Sequence, residues 1–284
     1  ETKRTALNHK NPCTVMDLTK DNGIPCVASA FYGKFLKALA KKKFPAAKTP
    51  VYAVGYDWRK SNEDSATAVK DRIAEILEAE KANRFVLISH SMGGLVSRAM
   101  FKQYEEIAAK ATGVIHVAQP AAGAVVLYRR LFTGMQPELD GSDAVSKILN
   151  NAFGKTPAET AALYAVMPGP MQLLCTNHYH YNDSGVSWLQ VFGDGNNSSQ
   201  LQEGGQGPSI FDRYDAKLSP PGIYNVKLDA SASIRTPLGE ALATSRKFHD
   251  SLQTWTLPGK TWAIFSTSLA ADVAIDFHPL SYHP

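Results

Sequence analysis

Cysteine is scarce. Only Cys13, Cys26 and Cys175 occur in 284 residues, which excludes a small scaffold stapled by several disulfides. Cys13 and Cys26 read either as a short loop closed in an oxidising compartment or as two free thiols. No uninterrupted apolar run reaches the ~18 residues of a membrane-spanning helix. Neither sign of charge dominates, since 30 basic and 26 acidic residues leave a net +4. No Gly-X-Y repeat, sustained heptad or internal repeat is present, so collagen-like and coiled-coil classes fail. Disorder fails as well, because 44 % of the residues are hydrophobic. The opening Glu-Thr-Lys-Arg is no signal peptide, yet a mature secreted chain would also lack one, so the address stays open.

The one dense basic stretch covers residues 34–48, with Lys34, Lys37, Lys41, Lys42, Lys43 and Lys48. It reads as a solvated helix end or, second, as a patch for anionic lipid. No basic groove interleaved with aromatics accompanies it, so no nucleic-acid partner is expected.

What is present is an alternation of short apolar runs and amphipathic stretches. Strands are expected at 13–16, 51–54, 85–88, 113–118 and 261–265, with a strand-like run at 273–277. Helices are expected at 31–44, after Ser61 or Asn62 as cap, at 92–109 and at 237–255. In the second of these, Ala66, Val69, Ile73, Ile76 and Leu77 form a 3.6-period stripe. The β-α-β-α-β order argues for a mainly parallel sheet with helices on both faces. Continuous apolar strands argue for cover on both sides. Residues 121–175 break the rhythm and read as a helical lid or cap inserted into a single α/β domain over 1–284. Val125, Val126, Leu127, Leu131 and Phe132 are candidates for a lipid-facing lid surface, or for ordinary core.

The strongest chemical signal runs from Val86 to Leu95: an apolar strand, then Ser89-His90-Ser91-Met92-Gly93, then a helix. Ser-X-Ser-X-Gly between strand and helix is the pattern of a nucleophile elbow, with Ser89 where glycine is usual. The turn is strained, so the positions two before and two after Ser91 must be small. It sets the Ser91 hydroxyl at a positive helix N-terminus, with the Met92 N–H aimed at a developing oxyanion. His90 reads as a substrate contact or a structural histidine. Gly55-Tyr56-Asp57-Trp58-Arg59 follows a strand end, where sites gather in open α/β sheets. Tyr56 and Trp58 are therefore candidates for substrate contact, against the alternative of a stacked loop clasp.

These two blocks together resemble the lecithin:cholesterol acyltransferase-like lipases of the α/β-hydrolase superfamily. Residues 116–124 resemble the strand and loop after that family's elbow helix, and residues 167–174 the end of its cap insertion. The wording of the blocks is also similar to bacterial lipase effectors, including those delivered by type VI secretion. The resemblance implies an α/β-hydrolase fold and carboxylic-ester hydrolysis on lipid, of lipase or phospholipase A type, without metal or cofactor. Ser91 would be the nucleophile, with a histidine base and an aspartate to hold it. It further implies transient contact with a membrane surface, a protein inhibitor if the chain is an effector, and a secreted or translocated bacterial protein. Acyl transfer to an alcohol, and a degenerate fold that only binds lipid or protein, are the rival functions.

Two parts of the family pattern are missing. No Pro-Gly or His-Gly loop follows residues 13–16, and no Gly-Asp-Gly-Thr-Val block precedes a C-terminal histidine. Asp194, in Gly193-Asp194-Gly195, is the leading acid, ahead of Asp272 and Asp276. His278 is the leading base, ahead of His283 and His249. His116, in an apolar strand, reads as a satisfied core histidine. The favoured explanation is that segments of a longer protein are omitted from this sequence; the rival is divergence or loss of activity.

Overall fold

The structure, a computed structural model, describes residues 32, 34–35, 38–39, 50–135, 153–154, 156–175, 179, 189–191, 235–253, 255–256, 259–266 and 275–277. Cys13, Cys26, the loop after residues 13–16 and most of the basic stretch lie outside them, as do residues 136–152. Packing divides the chain into two units: residues 1–57 with 67–85, and residues 58–66 with 86–284.

Helix α1, Asn62–Ala79, begins where the sequence places it. The Ser61 hydroxyl accepts the Asp64 N–H at 3.0 Å, and Glu63 and Asp64 complement the helix dipole. Ala66, Val69, Ile73 and Leu77 are its buried stripe. It ends without glycine: Lys81 turns left-handed (φ 50), and the Ala82 N–H returns to the Leu77 carbonyl at 2.8 Å. Within the first unit the Tyr52 hydroxyl donates to the Glu80 carboxylate. Residues 51–54 show only an isolated bridge at Tyr52 instead of the expected strand; an apolar run needs a neighbouring ladder to become one.

The second unit holds the sheet. Strand β1 is Phe85–His90 and β2 is Ala111–Val117. Between them lie α2, Gly93–Gln103, and the short α3, Glu105–Ala108. The expected single helix over 92–109 breaks at Tyr104 (φ −131, ψ 82). The break redirects the chain so that Ile107 and Ala108 turn inward and are buried. Helices α4, Val125–Thr133, α5, Pro157–Ala165, and α6, Pro168–Met171, follow. Strand β3, Leu189–Val191, precedes the long α7, Arg235–Gln253. Strands β4, Thr261–Ile264, and β5, Ile275–Phe277, come last. Strand β2 lies between β1 and β4. It pairs with β4 in parallel, Val114 opposite Thr261 and Val117 opposite Ile264. Strands β3 and β5 form a separate parallel pair.

Helix α2 is buried nearly all round, from Gly94 to Phe101. On β1 the odd positions face inward and the even ones outward, as the two-residue period requires: Ser89 is buried, whereas Val86 is 59 % exposed. The continuous apolar runs anticipate cover on both faces. The even face of β1, and Trp262 and Ile264 on β4, are exposed in the structure.

The stretch 121–175 is better organised than its glycines and prolines suggest. Thr156 and Glu159 form a reciprocal capping box at 3.2 Å each way, with Pro157 in the first turn of α5. The Ala124 N–H donates to the Leu173 carbonyl at 2.8 Å, which pins the start of the stretch to its end. Val125, Leu127 and Leu131 are buried with Tyr164, Met171, Leu174, Cys175 and Ala241 in one apolar cluster, and Val126 packs against it. For these residues core packing, not a lipid-facing surface, is what the structure shows. The Phe132 side chain is outside the described set. Among the described residues no helix is long and apolar enough to cross a membrane.

Candidate active site

Ser91 ends β1 and opens α2. Its φ is +51, a left-handed value that costs a non-glycine residue about 1–3 kcal/mol and persists only where its surroundings hold it. Three hydrogen bonds do so. The Ser91 N–H donates to the Val117 carbonyl on β2 at 2.9 Å, the Gly94 N–H to the Ser91 carbonyl at 2.9 Å, and the Leu95 N–H to the Met92 carbonyl at 2.9 Å. Ser97, one turn on, donates its hydroxyl to the Gly93 carbonyl. Ser91 is half-buried, and Met92 is the N-cap residue in helical geometry (φ −54, ψ −26) without a side-chain cap. The first N–H groups of a helix lack intrahelical acceptors, so this turn presents a hydroxyl beside the backbone N–H groups of a positive helix end.

Pattern reasoning expects the tightest contacts two residues on either side of Ser91. The structure puts one at Gly94. A Cβ there would sit 2.5 Å from Gln119 Cγ and 2.8 Å from Cδ, so the loop after β2 lies directly against the first turn of α2. The Gln119 Nε2 is buried and has no hydrogen-bond partner among the described residues.

His116 on β2 is not the satisfied core histidine that an apolar strand suggests. Its Nδ1 lies 2.7 Å from Ser89 Oγ, but its Nε2 is buried without a partner among the described residues. Burial, and then the Arg98 guanidinium, hold this imidazole below its ordinary value. A neutral ring carries one N–H donor where a charged one carries two, which fits a buried site with one bond on offer. His90, next to Ser91 in sequence, points to the exposed face of β1.

Trp58 packs against Phe153 in a tilted contact, ring centroids 4.9 Å apart and planes at 36°. Phe153 meets Tyr164 edge-on at 6.4 Å. Below this ladder, the Gly169 N–H donates to the Arg59 carbonyl at 3.3 Å. Gln172, fully buried, accepts the Asn62 N–H at 2.6 Å and donates to Glu63 at 2.8 Å. It thereby caps α1 from 110 residues away, which no local pattern signals. From α7, Ser245 donates to the Met171 carbonyl at 2.8 Å, and His249 Nε2 lies 2.8 Å from the Gln172 carbonyl. His249 is thus engaged in packing. Tyr56 belongs to the first unit, where burial, and then Tyr32, push its phenol upward. Cys175 is a free, buried thiol, pushed upward by the same desolvation.

Asp194, His278, Asp272 and His283 lie outside the described residues; Asp276 is in β5. Among the described residues no group of three or more His, Cys, Asp or Glu side chains could hold a metal ion.

A family model described as lecithin:cholesterol acyltransferase matches residues 22–185. A solved structure, the crystal structure of the Tle4–Tli4 complex, matches with a TM-score of 0.53 at 23 % identity. The match covers 75 % of this chain and 44 % of that one, so this chain spans less than half of that relative's length. At that identity the likeness shows the fold, and it is the α/β fold expected from the strand and helix order. A comparison with curated proteins gives no match.

Proposed function

Because the chain belongs to the lecithin:cholesterol acyltransferase family, we propose that it is a serine esterase of lipids, of lipase or phospholipase A type, working through a Ser91 acyl-enzyme. The observation that carries this reading is the strand–Ser91–helix turn, left-handed at a residue other than glycine. Ser91 Oγ attacks the acyl carbonyl, and its proton passes to an imidazole, assigned to His278 and oriented by Asp194. The Met92 N–H donates to the oxyanion at the positive end of α2. The imidazolium protonates the departing alcohol, and water activated by the same ring releases the acid. His90, Tyr56 and Trp58 are kept as substrate contacts, and residues 121–175 as the cap of a single domain over 1–284. The pinning of Ala124 to Leu173 supports an insertion that leaves and rejoins the core at one place.

Acyl transfer to an alcohol is the second reading, favoured by the family's own description. The same acyl-enzyme serves both, and the acceptor decides. Contact with a lipid surface is transient in either case. That Tle4 is solved in complex with Tli4 supports a protein partner for this chain too. A secreted or translocated bacterial protein is the setting that the effector resemblance implies.

The test is labelling by a fluorophosphonate probe, compared between the native chain and Ser91→Ala. We expect labelling of the first and not the second, with turnover of acyl esters. Absence of labelling in the native chain sinks the reading. Products formed with and without added alcohol separate hydrolysis from transfer.

A further inference from the structure

One buried polar pair beside Ser91 is not used by this chemistry. Ser89 is 7 % exposed and His116 is 4 % exposed, on the neighbouring strands β1 and β2. Their side chains meet at 2.7 Å. The Ser89 hydroxyl makes no other hydrogen bond among the described residues. The bond is made either by the Ser89 hydroxyl donating to an unprotonated Nδ1 or by an Nδ1–H donating to Ser89 Oγ.

The neighbouring backbone gives this bond its consequence. The residue after His116 is Val117, whose carbonyl accepts the Ser91 N–H. Strand β2 thus holds the turn at two consecutive residues: through a side chain at the position two before Ser91, and through its backbone at Ser91 itself. A left-handed serine stays in place only while its surroundings over-determine it. Glycine, usual at position 89 in such turns, would leave both nitrogens of His116 unpaired. Ser89 and His116 therefore belong together.

We propose that the Ser89–His116 hydrogen bond positions the Ser91 turn for reaction, His116 acting through Ser89 and never on substrate. The proposal rests on Ser91 being the nucleophile. It makes His116 a positioning residue, distinct from the proton-accepting imidazole assigned to His278.

The test uses Ser89→Ala, His116→Leu and His116→Asn, read by kcat and KM on a short acyl ester, by the fluorophosphonate labelling rate and by thermal unfolding. Asn keeps a carbonyl oxygen near the place of Nδ1, able to accept from Ser89; Leu fills similar space without it. Ser89→Ala and His116→Leu should each lower kcat and the labelling rate, by up to about 100-fold for a misplaced nucleophile, with KM little changed. His116→Asn should recover most of the loss. Folded Ser89→Ala or His116→Leu protein with native kcat and labelling rate overturns the proposal while leaving the Ser91 reading intact. Equal losses in Asn and Leu also overturn it. A native chain that fails to label overturns the Ser91 reading and the proposal with it.

Discussion

Replacing Gly169 by alanine puts two opposed physical effects against each other. Gly169 sits in α6, Pro168–Met171, where alanine is ordinarily the better residue by about 0.5–1 kcal/mol. The surroundings say the reverse. An added Cβ would lie 2.1 Å from the Trp58 carbonyl oxygen and 2.6 Å from that of Lys60. Carbon–oxygen contacts settle near ~3.3 Å, so the Trp58 loop must retreat by about 1 Å. Both obstacles are backbone, which cannot swing aside as a side-chain tip can. Overpacking of this kind costs about 1–3 kcal/mol. Retreat also breaks the Gly169 to Arg59 hydrogen bond, a net loss of about 1 kcal/mol. After the helical gain is subtracted, Gly169→Ala should destabilise by about 1–3 kcal/mol. At about 2–4 °C per kcal/mol for a domain near this size, Tm falls by roughly 2–12 °C. Urea unfolding with an unchanged m-value, alongside calorimetry, measures it. Gly259→Ala is the control: its φ is +81 but the nearest atom is 3.7 Å away, so only backbone strain of about 1 kcal/mol applies. A neutral or stabilised Gly169→Ala protein would refute the close docking of α6 on the Trp58 loop.

Three further outcomes follow from the same geometry. Ser91→Gly and Ser91→Ala should both lose ester turnover by more than about 10⁴-fold. Ser91→Gly should nevertheless be the more stable by about 1 kcal/mol, because glycine accepts φ +51 without strain; the reverse order by urea unfolding would deny the left-handed turn. His116 is held below its unfolded value by burial and Arg98, so the unfolded chain binds more protons between the two values. Its contribution is complete above about pH 6.5 and is lost as pH falls toward the folded value, at no more than about 1.4 kcal/mol per pH unit. Unfolding series on native and His116→Asn protein across pH 4.5–7.5 should differ by that slope, and parallel curves would contradict it. His278→Ala should abolish turnover while His249→Ala, a change to a buried packing residue, should lower stability first; intact turnover in His278→Ala protein rejects His278 as the base.

Much of the scaffold was legible in the amino-acid order because its causes are local. The stripe Ala66, Val69, Ile73, Leu77 follows from helix period, and Ser61 caps by reaching only three residues ahead. The strand–Ser91–helix turn was visible for the same reason: an apolar run, small residues and a second apolar period lie within ten consecutive positions. The break at Tyr104 was not legible, because it answers to where Ile107 and Ala108 find burial. Nor was the lone bridge at Tyr52, since a strand depends on its neighbour.

The sequence by itself determined the α/β order and the candidate nucleophile. Only the tertiary structure decided what holds them. It brought His116 to Ser89 across two strands, Gln119 onto Gly94, and Gln172 onto the start of α1 from 110 residues away. It also turned Val125, Leu127 and Leu131 into core. The reason is physical: periodicity records how a segment alternates between water and protein. It carries no record of which distant polar atom will satisfy a buried one, because chain topology sets that pairing.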